Sequence, residues 1–343
     1  MKGRARMAAA VPQSRPILSR VFRRRESRDS AKHVFLGFTV TPLVLYMAFW
    51  TLFPMVWGFA LAFFDYSARR TGGPILGLGS DNPFVELRNF QDMLNFAPDA
   101  LLIARQFHIS LKTTLLFAVL VLPLNLAITL PLAVLIDSIH DRLKCIFRTF
   151  FFLPVLAPAV GVAIMWGYIY HPQRGLLNAI LGQAAGRLIG VSWTGDESLM
   201  ILGIPVALLA VIIAYLWADI GYNLVIFIAA LQSIPESIRD AARIDGAGPW
   251  QMFRHITLPL LKPTILLVAV FTMISSFQVF DIIQVLTQGG PNDQTRVIVI
   301  DIYNNAFRFQ RMGWASAVSV VLFLVVFSIS LVQNRLLRTE WEY

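Results

Sequence analysis

The sequence predicts an all-α membrane protein, a polytopic bundle of six transmembrane helices. Of its 343 residues, 57% are hydrophobic and only 14% are charged, whereas soluble domains carry about 25% charged residues. The mean hydropathy is +0.65. Apolar runs recur along the chain, and a helix of about 20 apolar residues is long enough to cross the hydrocarbon core of a bilayer. These observations exclude an ordinary soluble domain.

Six segments meet the length and apolarity of a span. They are residues 35–64, 109–136, 149–170, 199–231, 264–286 and 312–334. Together they predict a transmembrane domain over residues 34–338, followed by a short tail at 339–343. The first apolar segment is too long for a cleavable signal peptide and no small-residue cleavage site follows it, so we expect a retained span.

Basic residues predict the orientation of the spans, because cytoplasmic segments carry an excess of Lys and Arg. Ten of the 29 Lys and Arg lie in residues 1–33, and six spans place both termini on one side. With the termini inside, the inner segments hold 19 Lys and Arg and the outer loops hold 10. Without the N-terminal tail the two counts are nearly equal, so the loops alone do not decide the orientation. We expect a disordered basic cytoplasmic tail at 1–33, attracted at most to lipid headgroups, and no nucleic-acid binding.

A polar insert at residues 232–263 separates the fourth and fifth spans on the predicted cytoplasmic side. The run Ser233-Ile-Pro-Glu236 fits a capping box, which predicts a short helix over 234–244. Three apolar residues share one face of that helix at three- and four-residue spacing, namely Ile234, Ile238 and Ala241.

The second half of the insert predicts a bend and another short helix. Gly246 and Gly248 interrupt the first helix, and Pro249 suits the first position of the next one, where a missing N–H costs nothing. That helix has an apolar stripe of Trp250, Phe253 and Ile256. Two interpretations remain open from composition alone: an amphipathic hairpin resting on lipid headgroups, or a docking element for a cytoplasmic partner.

The insert resembles the EAA loop of bacterial ABC-importer permeases, whose pattern is E-A-A-x-x-D-G-A, a hydrophobic stretch, and L-P-x-x-x-P. The matching residues are Asp240-Ala241-Ala242, Asp245-Gly246-Ala247, and Leu258-Pro259 with Pro263. One departure is Asp240 in place of glutamate, which keeps the charge but shortens the side chain by one methylene. The family implies a salt bridge from this position to an arginine of the ATPase, and the shorter aspartate side chain would have to form it with a different geometry.

The resemblance extends over about residues 35–338 and is to the carbohydrate-type branch, similar to maltose and glycerol-phosphate permeases. Its further motifs are Phe63-Phe64-Asp65, Phe84-Val85 with Asn89-Phe90, Arg148-Thr149 with Leu153-Pro154, and Phe280-Asp281 with Gly289-Gly290-Pro291. Glu86 replaces a glycine of the family pattern. The resemblance implies the fold of a type I importer permease in a bacterial inner membrane.

The resemblance also implies partners. They are a second, homologous permease, a cytoplasmic ATPase dimer, and an extracytoplasmic solute-binding protein on the outer loops 65–108, 171–198 and 287–311. The implied ATPase-coupling residues are Glu236, Asp240, Ala241, Ala242, Asp245, Gly246, Ala247, Trp250, Phe253 and Pro259. The sequence itself has no G-x-x-x-x-G-K-[ST] phosphate loop, so we expect ATP and Mg²⁺ on the ATPase, and neither a cofactor nor an enzymatic activity in this chain.

Polar residues within the spans indicate where a sugar-like substrate would pass. A transmembrane aspartate costs roughly 2.5–3.5 kcal/mol on insertion scales, so Asp219 and Asp281 should face protein or water. Asp281 belongs to a family motif, and we expect it to be structural. The candidate path residues are Asp219, Tyr222, Asn223, Phe277, Gln278 and Gln284. For Asp219, an interhelical hydrogen bond is the alternative.

Other functions remain alternatives at this stage. They are an ion-coupled secondary transporter, a non-sugar importer permease, and a membrane-embedded hydrolase or transferase. The hydrolase has no support from a nucleophile motif or from metal-ligand spacing among the five histidines. The single cysteine, Cys145, forms no internal disulfide and is expected to be a loop thiol.

Overall fold

The computed structural model describes residues 35–70, 78, 81–97, 100–187 and 190–337. The predicted tails at 1–33 and 339–343 lie outside these residues. The chain divides into two compact units, residues 1–58 and 59–343. From Phe35 onward, the first unit is the greater part of helix α1, Phe35–Leu61, which contains a π turn at Ala48–Leu52.

In the part of the chain that the structure describes, the regular structure of the second unit consists mostly of helices. They are α2 (Arg88–Met93), α3 (Leu102–Ser138), α4 (Asp141–Phe152), α5 (Ala159–Ile169), α6 (Leu176–Ala185), α7 (Val206–Gln232), α8 (Glu236–Ile244), α9 (Pro249–Met252), α10 (Leu258–Leu260), α11 (Lys262–Phe277), α12 (Asp281–Leu286), α13 (Ile298–Tyr303) and α14 (Met312–Leu337). A 3₁₀ turn follows α4 at Leu153–Leu156, and π turns occupy Phe253–Thr257 and Asn304–Arg308. A two-stranded antiparallel hairpin joins β1 (Met200–Ile201) to β2 (Ile204–Pro205).

Five helices of the described chain are long and apolar enough to cross a membrane. They are α1, α3, α7, the α11–α12 segment Lys262–Leu286, and α14. Helices α4 and α5 add a sixth span if the pair is counted as one bent crossing. This confirms the predicted all-α membrane class, and the predicted number of six spans is reached when the bent pair counts as one crossing.

The third predicted span, 149–170, is not a continuous helix. The segments Asp141–Leu156 and Ala159–Ile169 meet at an angle of 100°. Ala157 and Pro158 between them are extended, with ψ of 137° and 139°. A residue before proline is driven out of the helical region by the proline ring, so Pro158 places the bend at this position.

Two other span boundaries also differ from the prediction. The second span begins at Leu102 instead of 109 and runs for 37 residues, about 55 Å at 1.5 Å per residue, so it extends well beyond the hydrocarbon. The fourth begins at Val206 instead of 199, because residues 200–205 form the β-hairpin. Leu202 and Gly203 at its turn have positive φ values of 52° and 78°, which no helix accommodates.

Helix α7 lies at the centre of the packing in the second unit. One buried cluster joins its first half to Phe117 of α3 and Ile283 of α12, and another joins its second half to Ile136 of α3 and Val268 of α11. Gly221 lets α7 approach α4 closely, because a Cβ at this position would overlap the carbonyl oxygen of Phe151. The bent third segment is therefore held directly against the central helix.

Candidate functional site

The insert between α7 and α11 contains a sharp bend that its own backbone determines. Helix α8 ends in a Schellman motif: the N–H of Gly246 donates to the carbonyl of Arg243 at 3.1 Å, and that of Ala247 to the carbonyl of Ala242 at 2.9 Å. Gly246 has φ of +79°, a conformation that glycine adopts without steric cost. This confirms the predicted glycine bend.

The second short helix is fixed at its first turn. Pro249 is its first residue, as predicted, and its fixed φ suits that position. The N–H of Gly248 donates to Oε1 of Gln251 at 2.8 Å, one half of a capping box. The rings of Trp250 and Phe253 lie 5.7 Å apart. Residues 236–257 therefore form a stiff bent helical pair, hereafter the knob.

The predicted capping box at Ser233 is wrong. Ser233 ends α7 with helical dihedrals of −78° and −13°, and its hydroxyl donates back to the Ala230 carbonyl at 2.7 Å. Pro235 precedes the first turn of α8 without a side-chain cap, and the helix begins at Glu236 instead of 234. An N-cap residue needs extended backbone dihedrals. Helix α7 continues up to Ser233 and holds it in a helical conformation, so Ser233 cannot cap α8.

The knob exposes large apolar side chains. Ile244 is 86% exposed and Trp250 is 67% exposed, whereas α8 buries Ala242. Of the predicted apolar face, Ile234 packs onto the core, but Ile238 and Ala241 are exposed.

The acidic residues among the predicted coupling residues also lie on the surface of the knob. They are Glu236, Asp240 and Asp245. Asp240 accepts a hydrogen bond from Arg243 Nη1 at 2.9 Å, a pair exposed enough to exchange for another partner at little cost. Phe253 and Pro259 are half-buried at the base of the knob.

An ion pair ties the knob to the helix bundle. Arg239 Nη1 donates to Asp137 Oδ2 at 3.0 Å, and Arg239 Nη2 donates to the Leu231 carbonyl at 2.8 Å. The two charged side chains are only 28% and 11% exposed. One guanidinium on α8 thus bridges the ends of α3 and α7. Sequence reasoning missed Asp137 and Arg239, although an acidic residue at the end of an apolar span was a signal.

A polar cluster crosses the interior between α3, α7 and α11. Asp219 Oδ2 accepts from Asn125 Nδ2 at 2.8 Å and from Asn223 Nδ2 at 3.0 Å. The Asn223 amide nitrogen also lies 3.0 Å from Asn125 Oδ1 and 3.1 Å from Thr272 Oγ1. The interhelical hydrogen bond that was the alternative role for Asp219 therefore exists. Asn125 was missed, and its amide within an apolar run was the available signal.

Two cavities open beside this cluster. One of about 320 Å³ is lined by Tyr215, Asp219, Ser275, Gln278 and Asp281, among others. The other, of about 250 Å³, shares Asp219, Ser275 and Gln278 and adds Tyr222 and Asn223. Four of the six candidate path residues thus line these two neighbouring cavities.

The other two candidate path residues lie elsewhere. Phe277 is 1% exposed and packs with Ala118 and Met273 in the core. Gln284, half-buried on α12, is not among the residues that line either cavity. They were included in the predicted path on residue type alone, because the sequence does not show which face of α11 or α12 lines a path.

The loop between α12 and α14 is held by a buried ion-pair network. Arg296 donates to Asp301 Oδ1 at 2.7 Å and to Asp293 Oδ1 at 3.2 Å. Burial raises the pKa of the Asp301 carboxyl, and the Arg296 guanidinium opposes that shift. Gln294 Nε2 also donates to the Glu197 carbonyl at 2.8 Å. This network joins two of the predicted outer loops into one surface.

A family model matches residues 129–339, and its description is binding-protein-dependent transport system inner membrane component. The matched region contains the knob and Asp219. Among curated proteins, the probable ABC transporter permease protein YurN of Bacillus subtilis is 33% identical over 263 residues, covering 76% of this chain and 85% of the relative.

Two further comparisons extend the similarity. The sn-glycerol-3-phosphate transport system permease protein UgpA of Pectobacterium atrosepticum is 32% identical over 268 residues, covering 77% of this chain and 84% of the relative. A chain of a bacterial ABC transporter involved in the import of alginate superposes with a TM-score of 0.74 at 23% identity, covering 93% of this chain and all of that chain. At this sequence identity the superposition supports the fold alone.

Proposed function

The chain belongs to the family of inner membrane components of binding-protein-dependent transport systems, and we propose that it forms half of the translocation pathway of an ABC importer for a sugar, oligosaccharide or related polyol. Its family members are transport permeases, so the ion-coupled transporter and the membrane hydrolase are set aside. A non-sugar importer remains the second candidate, because one relative is named as a permease for the uptake of osmoprotective compounds.

The knob carries this proposal. It combines a locally rigid bend, exposed apolar side chains at Ile244 and Trp250, and an ionic anchor to α3 and α7. A surface of this kind suits a cleft on a cytoplasmic ATPase dimer that binds ATP and Mg²⁺. Closure of that dimer would move the knob, and the anchored helices would transmit the motion as alternating access.

The family resemblance implies the remaining partners. A second, homologous permease would supply the other half of the pathway, and an extracytoplasmic binding protein would deliver substrate to the outer loops. The termini and the knob would then be cytoplasmic. The substrate would pass the cavities beside Asp219, Tyr222, Asn223 and Gln278, whose linings include amide, carboxylate and hydroxyl groups and aromatic rings.

The direct test is a reconstituted ATPase assay. This chain would be reconstituted in liposomes with the ATPase, the second permease and the binding protein that are encoded with it. We expect this assembly to hydrolyse ATP when the binding protein carries its substrate. The loading panel would contain neutral oligosaccharides, polyols, uronates and glycerol phosphate, and liposomes without this chain would serve as the control. ATP hydrolysis that is unchanged by omitting this chain would contradict the proposal.

A further inference from the structure

The carboxylate of Asp219 is held in one orientation. Both described hydrogen bonds to it end on Oδ2, one from Asn125 of α3 and one from Asn223 of its own helix. Within the described chain, Oδ1 accepts none. Asp219 is half-buried and lines both cavities, so its free oxygen is available to a molecule that enters them.

Among the described residues, the walls of these cavities carry negatively charged side chains and no positively charged ones. The lining residues include two carboxylates, Asp219 and Asp281, and contain no lysine, arginine or histidine. Their other polar groups are uncharged hydroxyls and amides, such as Tyr215, Ser275 and Gln278. A fixed carboxylate in a partly buried cleft acts on a second charge more strongly than it would in bulk water.

We propose that Asp219 is a charge-selecting residue, and that the half-pathway of this chain admits uncharged polyhydroxy substrates while rejecting anionic ones such as uronates and sugar phosphates. The inference rests on the proposed transport function and narrows its substrate class. Oδ1 would accept a hydrogen bond from a substrate hydroxyl. A phosphate or carboxylate brought to the same place meets a like charge, and no described cationic side chain in these walls offsets it.

A thiol-reactivity measurement tests this without knowledge of the substrate. Cys145 is the single cysteine, so Cys145→Ser provides a cysteine-free background. Gln278→Cys then places a thiol at a position that lines both cavities. The assembled transporter would be exposed at pH 8 to a cationic and an anionic methanethiosulfonate of similar size, and the two modification rates compared. Leu202→Cys, at a position 96% exposed on the β-hairpin, is the reference.

We expect the cationic-to-anionic rate ratio at position 278 to exceed the ratio at position 202 by about tenfold, the effect of one carboxylate at short range in a medium less polar than water. Asp219→Asn in the same background should remove most of this difference, and the remainder is the contribution of Asp281, the second carboxylate in the wall. Tyr222→Phe, which alters the lining without changing charge, should leave the ratio at 278 high.

Other outcomes overturn the inference in distinguishable ways. Equal ratios at positions 278 and 202, or a high ratio that survives Asp219→Asn, would show that Asp219 does not select charge while leaving the transport function standing. Failure of both reagents to modify position 278, while position 202 reacts, would show that no aqueous path reaches the cavities. That last result would count against the proposed function itself.

Discussion

Gly246→Pro should abolish the association of this chain with its ATPase. The native φ of +79° is closed to proline, whose ring fixes φ near −65°. The substitution also removes the N–H that donates to the Arg243 carbonyl. The Schellman motif would open and Ile244 and Trp250 would no longer share one rigid surface. Co-purification of the ATPase with the membrane complex should fall to background.

Gly246→Asn is the matched control for this prediction. Asparagine enters the left-handed region more readily than other residues, and a Cβ at position 246 meets no atom within 4 Å. This variant should therefore retain most ATPase association. A proline variant that co-purifies as well as the native chain would show that the bend is not needed for docking.

Asp137→Asn should uncouple ATP hydrolysis from uptake without releasing the ATPase. The variant removes the charge that Arg239 pairs with at 3.0 Å, so α8 loses its ionic link to α3 while the knob surface stays intact. A coupling loss of about 1 kcal/mol corresponds to roughly a fivefold drop, and we expect at least that decrease in substrate taken up per ATP. Parallel uptake and hydrolysis measurements in proteoliposomes give this ratio.

The charge-reversed double variant, Asp137→Arg with Arg239→Asp, controls for nonspecific damage. It restores the ion pair but not the hydrogen bond from Arg239 to the Leu231 carbonyl, so we expect partial recovery of uptake per ATP. Uptake in the double variant that is no better than in the worse single variant would argue against a force-transmitting role for the pair.

Local sequence signals predicted the knob because its bend depends on neighbouring residues. Gly246 and Pro249 act through their own backbone restrictions, and the structure places them as expected. The Ser233 cap failed although it is also a local signal, since α7 extends to Gln232 and holds Ser233 in a helical conformation. A cap prediction requires knowing where the preceding helix ends.

The contacts between helices could not be predicted from local patterns. Asp137 pairs with a residue 102 positions away, and Asn125 bonds to one 94 positions away. Such pairs depend on the rotation of each helix about its axis. In membranes that rotation is set by packing and buried hydrogen bonds, with no hydrophobic drive between helices to mark a face in the sequence. The same reason explains why Phe277 was expected in the path but packs in the core.

The bend in the third span shows the limit of proline signals. Pro123 and Pro131 lie inside α3, which continues as one helix, whereas the chain turns by 100° at Pro158. Membrane helices accommodate proline when nearby groups satisfy the freed carbonyls. Whether a given proline bends or ends a helix therefore depends on neighbouring elements that the sequence does not reveal.

Photo-crosslinking from position 244 tests the central claim, that the knob docks into the ATPase. A photoreactive amino acid introduced at Ile244, which is 86% exposed on the knob, would be irradiated in cells that express the whole transporter. We predict a crosslinked product between position 244 and the ATPase subunit. The same amino acid introduced at Leu202 should give no crosslink to the ATPase. Crosslinks from position 244 only to lipid or to the extracytoplasmic binding protein would contradict the account.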